Sequence, residues 1–433
     1  MRLILLYGLE LSTVNGCRRQ RLQAPRHARG PGMARAAAST CRRLTLAPRG
    51  TTLPRRDAFP PSPLPAMSDA PPPSATPTVA VRPPAARLAP IALALALGVA
   101  GGTIAWRFSV PLAWMIGPMV ATAAASLAGW RLTPVPMGRE LGQAVVGVAI
   151  GLRLTPAVLA SVAALTPAIA VATLGVIATT TIAAFLLRPL GRVDARTAFF
   201  ATAAAGMADM ALVARRHGGD ADAVATVHAI RVAAIVLVVP VLVVAFGSGG
   251  TVNDVVPAGA HPLTLIPVLA FAVVCAYALK PLGFPNPWLV GPMLGTGVFA
   301  TLDPFPAAVP WAALVLAQLA IGIALGTRFK RESLARLPRV AVAGVAIAGL
   351  LIVAAAAGGA VLSAATGLPF TVAFLSLAPA GITEMVLTAK IMRLDATVVT
   401  AFQIVRIAVI AATILPMYRL YGLIARKVHG SPI

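Results

Sequence analysis

Charge is scarce in this chain. Of its 433 residues only 11% are Asp, Glu, Lys or Arg, against 58% hydrophobic, and the mean hydropathy is +0.86. Too little polar surface remains to coat a soluble globule. Cysteine is scarcer still, and Cys17, Cys41 and Cys275 have no disulfide or metal-ligand spacing. The chain has no HxxxH, HExxH or CxxC constellation and no glycine-rich phosphate loop ending in GK[ST]. Enzyme chemistry therefore has no visible carrier, and no cofactor or metal is expected. The alternating segments of a porin barrel are missing too.

What remains are long apolar stretches rich in Ala, Val, Leu and Gly, which suit closely packed helices in a lipid bilayer. The fold class expected is an all-α integral membrane protein. The net charge of +23 raises the question of nucleic acid, but residues 1–66 hold twelve arginines against Glu10 and Asp57 and so supply +10 of it. With that stretch set aside no basic DNA-reading module is visible, and direct nucleic-acid binding is not expected. The MRLILLYGLEL start has neither a normal h-region nor a clear cleavage site, which argues against a signal peptide. Two readings of residues 1–66 stand: an upstream over-extension of a frame that starts at Met67, or a disordered basic arm on the cytoplasmic leaflet. Residues 67–87 read as a Pro-rich flexible segment.

The apolar segments come in two sets of six. The first occupies residues 88–246, at about 88–106, 110–129, 140–152, 161–187, 195–214 and 223–246. After a linker at 247–261, the second occupies 262–425, at about 262–283, 285–302, 311–327, 338–363, 370–390 and 396–418. The sets echo each other. Trp114, Gly117, Pro118 and Met119 return as Trp288, Gly291, Pro292 and Met293; Gln143, Gly147, Gly151 and Arg153 return as Gln318, Gly322, Gly326 and Arg328. Gly206, Asp209, Met210, Asp220 and Arg231 return as Gly381, Glu384, Met385, Asp395 and Arg406, at a constant offset of 175.

Lys and Arg counts give the relative orientation. The loop after the third segment has Arg153 in the first copy and Arg328, Lys330, Arg331, Arg336 and Arg339 in the second. After the fourth segment the bias reverses, with Arg188, Arg192 and Arg196 against none, and after the sixth it reverses again. Equivalent loops then lie on opposite faces, which is the pattern of inverted-topology repeats. Inversion requires an odd number of crossings, so about five spanning helices plus one broken or re-entrant segment are expected in each copy. The fifth segment, with Gly206 or Gly381 in its middle, is that segment. Lys390 and Arg393 sit against this layout, and a broken fifth segment that crosses fully is the competitor. The loop charges put both termini on the cytoplasmic face, and the location expected is a bacterial inner membrane.

An ionisable group at depth costs roughly 2.5 to 3.5 kcal/mol even on the lenient insertion scale, so Asp209, Glu384, Arg231 and Arg406 call for a reason. The natural pairs are Asp209 with Arg231 and Glu384 with Arg406. Either they bind a solute or an ion, or they lock hairpin to helix as structural ion pairs. Gly117-Pro118 and Gly291-Pro292 are expected helix breaks, opening a helix end toward a ligand or making a packing kink. Gln143 and Gln318 stand beside smooth glycine faces that serve close helix packing, with the glutamines as candidate cavity liners. His228, matched by Gln403 one turn before the arginine, is expected to hydrogen-bond.

At PLAWMIGPM/NPWLVGPM, ELGQAVVGVAIG/VLAQLAIGIALG and GMADM/PAGITEM the chain resembles the membrane AbrB family, known for an internal duplication. The resemblance covers about residues 88–425. The family often has Pro-Gly-Gly before the acid, where this chain has Ala205-Gly206 and Pro379-Ala380-Gly381, and Asp209 stands where Glu is usual. Members carry conflicting labels, ammonia monooxygenase and regulator of gene expression. The histidines here do not support the first through metal ligands. Inverted repeats with interrupted helices and charges at mid-membrane look like secondary transporters. The function expected is transport of a small polar or anionic solute, with proton or ion coupling, by a chain that forms a homodimer; a membrane regulator acting through a partner is the alternative.

Overall fold

The computed structural model describes residues 84–246, 265–282, 286–302 and 308–429. The expectations for residues 1–66 and for the linker at 247–261 fall outside them. The described residues contain no strand; they form sixteen helices, eight from each half in the same order. The first eight are α1 (Pro84–Arg107), α2 (Ala113–Leu127), α3 (Gly138–Gly151), α4 (Pro156–Ala164), α5 (Thr166–Gly191), α6 (Ala195–Thr202), α7 (Met207–Arg216) and α8 (Ala221–Ala245). Their counterparts are α9 (Leu265–Leu279), α10 (Pro287–Leu302), α11 (Trp311–Gly326), α12 (Arg331–Arg336), α13 (Pro338–Thr366), α14 (Phe370–Leu377), α15 (Ile382–Ile391) and α16 (Ala396–His429). Helix α1 begins at Pro84, four residues inside the segment expected to be flexible.

Among the described residues six helical stretches are long and apolar enough to cross a membrane: Leu88–Arg107, Thr166–Gly191, Ala221–Ala245, Trp311–Arg336, Pro338–Thr366 and Ala396–Ala425. The chain is an all-helical membrane protein. Helices α2, α3, α9 and α10 have only 14 to 16 residues, fewer than the ~20 a perpendicular span needs. The repeated aspartates start the long helices that follow the fifth segment. Asp220 Oδ1 accepts from the backbone N–H of Asp222 (2.8 Å) and Ala223 (3.1 Å), and Asp395 Oδ1 from those of Thr397 (3.0 Å) and Val398 (3.1 Å). Each satisfies donors that a helix start leaves open.

The halves are joined by glycine seams that come in reciprocal pairs. A Cβ on Gly147 of α3 would strike the carbonyl of Leu289, and one on Gly322 of α11 that of Met115. One turn on, Gly151 faces Thr296 and Met293, and Gly326 faces Thr122 and Met119. So α3 packs on α10 as α11 packs on α2, backbone against backbone. Counterpart helices also meet: Gly142 of α3 lies against Ala317 of α11, its own equivalent, where a Cβ would be 3.0 Å from the Ala317 carbonyl. The start of α3 (Arg139, Glu140) shares a cavity wall with the end of α11 (Ala324, Thr327). Likewise Gly191 at the end of α5 faces Ala343 near the start of α13. Each counterpart pair runs antiparallel.

The Gly-Pro steps do not break their helices. Pro118 and Pro292 each occupy the sixth position of a continuous helix. A single proline there removes one ladder bond, and its fixed φ is helical. The preceding glycines serve helix crossings instead: a Cβ on Gly117 would strike the Gly101 carbonyl, and one on Gly291 would lie 2.7 Å from the Cys275 carbonyl.

The breaks lie in the fifth segment, at 203–206 between α6 and α7 and at 378–381 between α14 and α15. In the first copy the ends of this segment lie side by side. Arg196 Nη1 donates to the His217 carbonyl (3.0 Å), and Thr197 Oγ1 accepts from the Asp220 N–H (2.8 Å). The chain from Ala195 thus returns beside its start, as a helical hairpin. In the second copy Lys390 is buried, at 7% exposure, inside the protein rather than in a loop.

Substitution Gly322→Ala should lower the thermal unfolding temperature of detergent-purified protein, by an overpacking cost of about 1–3 kcal/mol. Gly349→Ala, where a Cβ meets nothing within 4 Å, should leave it unchanged; equal behaviour of the two variants would contradict the seam.

Candidate functional site

A helix that ends away from water leaves carbonyls without donors. At the end of α6, Arg231 supplies them from the middle of α8: its Nη1 donates to the carbonyls of Thr202 (2.8 Å) and Ala203 (3.1 Å). At the end of α14, Arg406 of α16 does the same, Nη1 to Ala378 (2.9 Å) and Nη2 to Ala380 (3.2 Å). Both arginines are only 2% exposed. A guanidinium suits this task because its donors fork in a plane and its charge complements the negative end of a helix.

The residues one turn earlier join in. Gln403 Nε2 donates to the carbonyls of Leu375 (2.9 Å) and Ala378 (3.2 Å). In the first copy Arg231 Nη2 lies 3.0 Å from His228 Nδ1. A guanidinium can only donate, so Nδ1 accepts, and the proton sits on Nε2, which donates to the Phe200 carbonyl (3.0 Å). His228 therefore hydrogen-bonds as expected.

The expected ion pairs do not form. Arg231 and Arg406 are engaged with backbone before their breaks, whereas Asp209 and Glu384 lie after them, in the first turns of α7 and α15. There each acid complements the positive end of its half-helix. Gly206 and Gly381 leave room for the acids to fold back over the break. A Cβ on Gly206 would lie 2.7 Å from Asp209 Oδ2, and one on Gly381 would collide with the Glu384 carboxylate.

Around this shared frame the copies differ. Asp209 and Gly206 are exposed, while Glu384 is only 1% exposed. Gln143 of α3 donates to Thr383 Oγ1 (2.9 Å), which also accepts from Asn286 Nδ2 (3.1 Å). Arg139 Nη2 lies 4.0 Å from Glu384 Oε1. At the positions matching Arg139, Thr383 and Asn286 the other copy has Leu314, Ala208 and Leu112. Gln318 is buried at its equivalent place on α11.

Beside the first hairpin lies a cavity of about 590 Å³, lined by Arg139, Glu140, Met207, Asp222, Arg328 and Lys330 among others. Sequence reasoning missed Arg139, Thr383 and Asn286. Two of them left a signal: Thr383 precedes the buried acid, and Arg139 stands four residues before Gln143, on the same helix face. Among the described residues no group of three or more His, Cys, Asp and Glu side chains is placed to hold a metal ion.

A family profile described as "Transition state regulatory protein AbrB" matches residues 114–422. The "Uncharacterized protein YhjN" of Bacillus subtilis (strain 168) is 26% identical over 351 residues, which cover 75% of this chain and 91% of that protein. The "Putative regulator AbrB" of Escherichia coli (strain K12) is 26% identical over 318 residues, 70% of this chain and 88% of that one. No solved structure gives a significant match.

Replacing Arg231 by Leu takes the donor from the Thr202 and Ala203 carbonyls, and replacing Arg406 takes it from Ala380, while Gln403 still serves Ala378, at about 1–3 kcal/mol for each acceptor left unpaired. Thermal unfolding in detergent should show a marked loss for both variants and, because Asp209 is exposed, a change within about 0.5 kcal/mol for Asp209→Asn. A loss in the Asp209 variant as large as in the arginine variants would restore the acid–arginine pairing.

Proposed function

The chain belongs to the AbrB family, and from the site described above we propose that it is a secondary carrier of a small polar or anionic solute. It works as two inverted-topology repeats in a bacterial inner membrane, with both termini cytoplasmic, as a homodimer. Antiparallel packing of the counterpart helices α3 with α11 and α5 with α13 supports the inversion: a two-fold axis across the helices lies in the plane of the membrane. The loop charges agree, since Arg192, Arg331 and the C-terminal Arg419 then share the cytoplasmic face. The two hairpins enter from opposite faces, and their breaks approach the centre.

The observation that carries the reading is the unequal exposure of two equivalent half-sites. Asp209 and Gly206 are exposed beside a cavity wall at Met207, whereas Glu384 is sealed. A carrier that opens its centre to one face at a time has that inequality built in and reverses it during the cycle. Three cations on the cavity wall, Arg139, Arg328 and Lys330, face two acids, Glu140 and Asp222, which favours an anion. In this reading Arg231 and Arg406 hold the breaks in shape and do not touch the solute.

The test is uptake and counterflow in proteoliposomes over a panel of organic acids, inorganic anions and amines. An anion should be accumulated by the wild-type protein, and Arg139→Leu should reduce that uptake at least tenfold. No transport of any solute, together with altered transcription in a deletion strain, would favour the regulator reading that the name of the E. coli relative carries.

A further inference from the structure

Duplication gave both copies the same backbone frame, but polar chemistry has been added at only one break. Glu384 is almost fully buried and its Oε2 meets no hydrogen-bond donor. Its one ion-pair partner, Arg139, reaches only Oε1, at the 4.0 Å limit of contact. A carboxylate enclosed with one oxygen bare has an acceptor site that a proton or a donor can still fill. Arg139 is 31% exposed and lines the open cavity, so it can leave without unfolding anything. The repeat counterpart of Arg139 is the uncharged Leu314.

We propose that Glu384 is the single proton-exchange site of this membrane unit, with Arg139 as the tethered cation that competes with the proton for its carboxylate, and that Asp209 takes no part. The other charged groups that face Glu384 do not substitute for Arg139. Arg328, at the end of α11, acts on Glu384, Glu140 and Arg139 together, and Arg406 of α16 is committed to the carbonyls of Ala378 and Ala380. Thr383, Gln143 and Asn286 are polar but uncharged. In the exchange the guanidinium withdraws into the cavity, and a proton from cavity water bonds to a carboxylate oxygen. The buried group is neutral before and after, once by pairing and once by protonation.

This deepens the carrier reading and rests on it for its use: an anion that draws Arg139 away makes Glu384 take one proton, so one anion travels with one proton. The exchange itself can be tested without transport. Infrared difference titration of the purified full chain in lipid should show a carboxylic C=O band that disappears as pH rises. Glu384→Gln should remove it, Glu384→Asp should restore it at a shifted frequency, and Asp209→Asn should leave it in place. At a fixed pH where the wild-type band is partial, Arg139→Leu should strengthen it, because the cation that competes with the proton is gone. A wild-type spectrum without the band, a band that survives Glu384→Gln, or a band indifferent to Arg139→Leu overturns the proposal. A protein that shows the full pattern yet moves no solute would keep the exchange site and lose the carrier.

Discussion

A helix that stops where there is no water must find donors for its last carbonyls, and Arg231 and Arg406 are how this chain finds them. Much of the rest follows. Each arginine must arrive from a long neighbouring helix at the right depth, which fixes α8 against the first hairpin and α16 against the second. Because the guanidiniums are engaged with backbone, the acids are released from pairing with them and sit on the far side of each break, at the start of the next half-helix. The glycine between is the only residue without a Cβ to collide with the folded-back acid. A break in a membrane helix is thereby made into a defined structure with an acid on one side and an arginine on the other.

Packing and chemistry obey different constraints in the two copies. The glycine seams are matched residue for residue, since a carbonyl held against Gly147 or Gly322 leaves no room for change in either half. Side chains that point into the centre are under no such demand. They have diverged: beside the repeated glutamine, the Glu384 break carries a threonine, an asparagine and an arginine, where the other copy has Ala208, Leu112 and Leu314. A symmetric frame with one chemically equipped half suits a device whose two faces do the same mechanical work but only one of which must handle a charge.

How much of this the sequence discloses depends on whether the partner of a residue is a side chain or the backbone. The duplication, the apolar helices, the interruption at Gly206 and Gly381 and the glycine packing faces are all legible, because pattern and spacing carry them. The partners of Arg231 and Arg406 are not, since carbonyl oxygens are present at every residue and a nearby acid looks like the obvious match. Gly117-Pro118 misleads for a related reason: proline signals a break, but the glycine beside it answers to the Gly101 carbonyl on another helix. Arg139 and Glu384 lie in different copies, and no local pattern joins them.

The claim on which all this turns is that the two hairpins reach the centre from opposite faces. Single substitutions Ala205→Cys and Ala380→Cys, placed at the two breaks of the full chain in sealed vesicles of known orientation, test it with a membrane-impermeant thiol reagent. Position 205 should react only from the cytoplasmic face, and position 380 only from the other or not at all until the carrier turns over. Reaction of both from the same face would contradict the inverted arrangement.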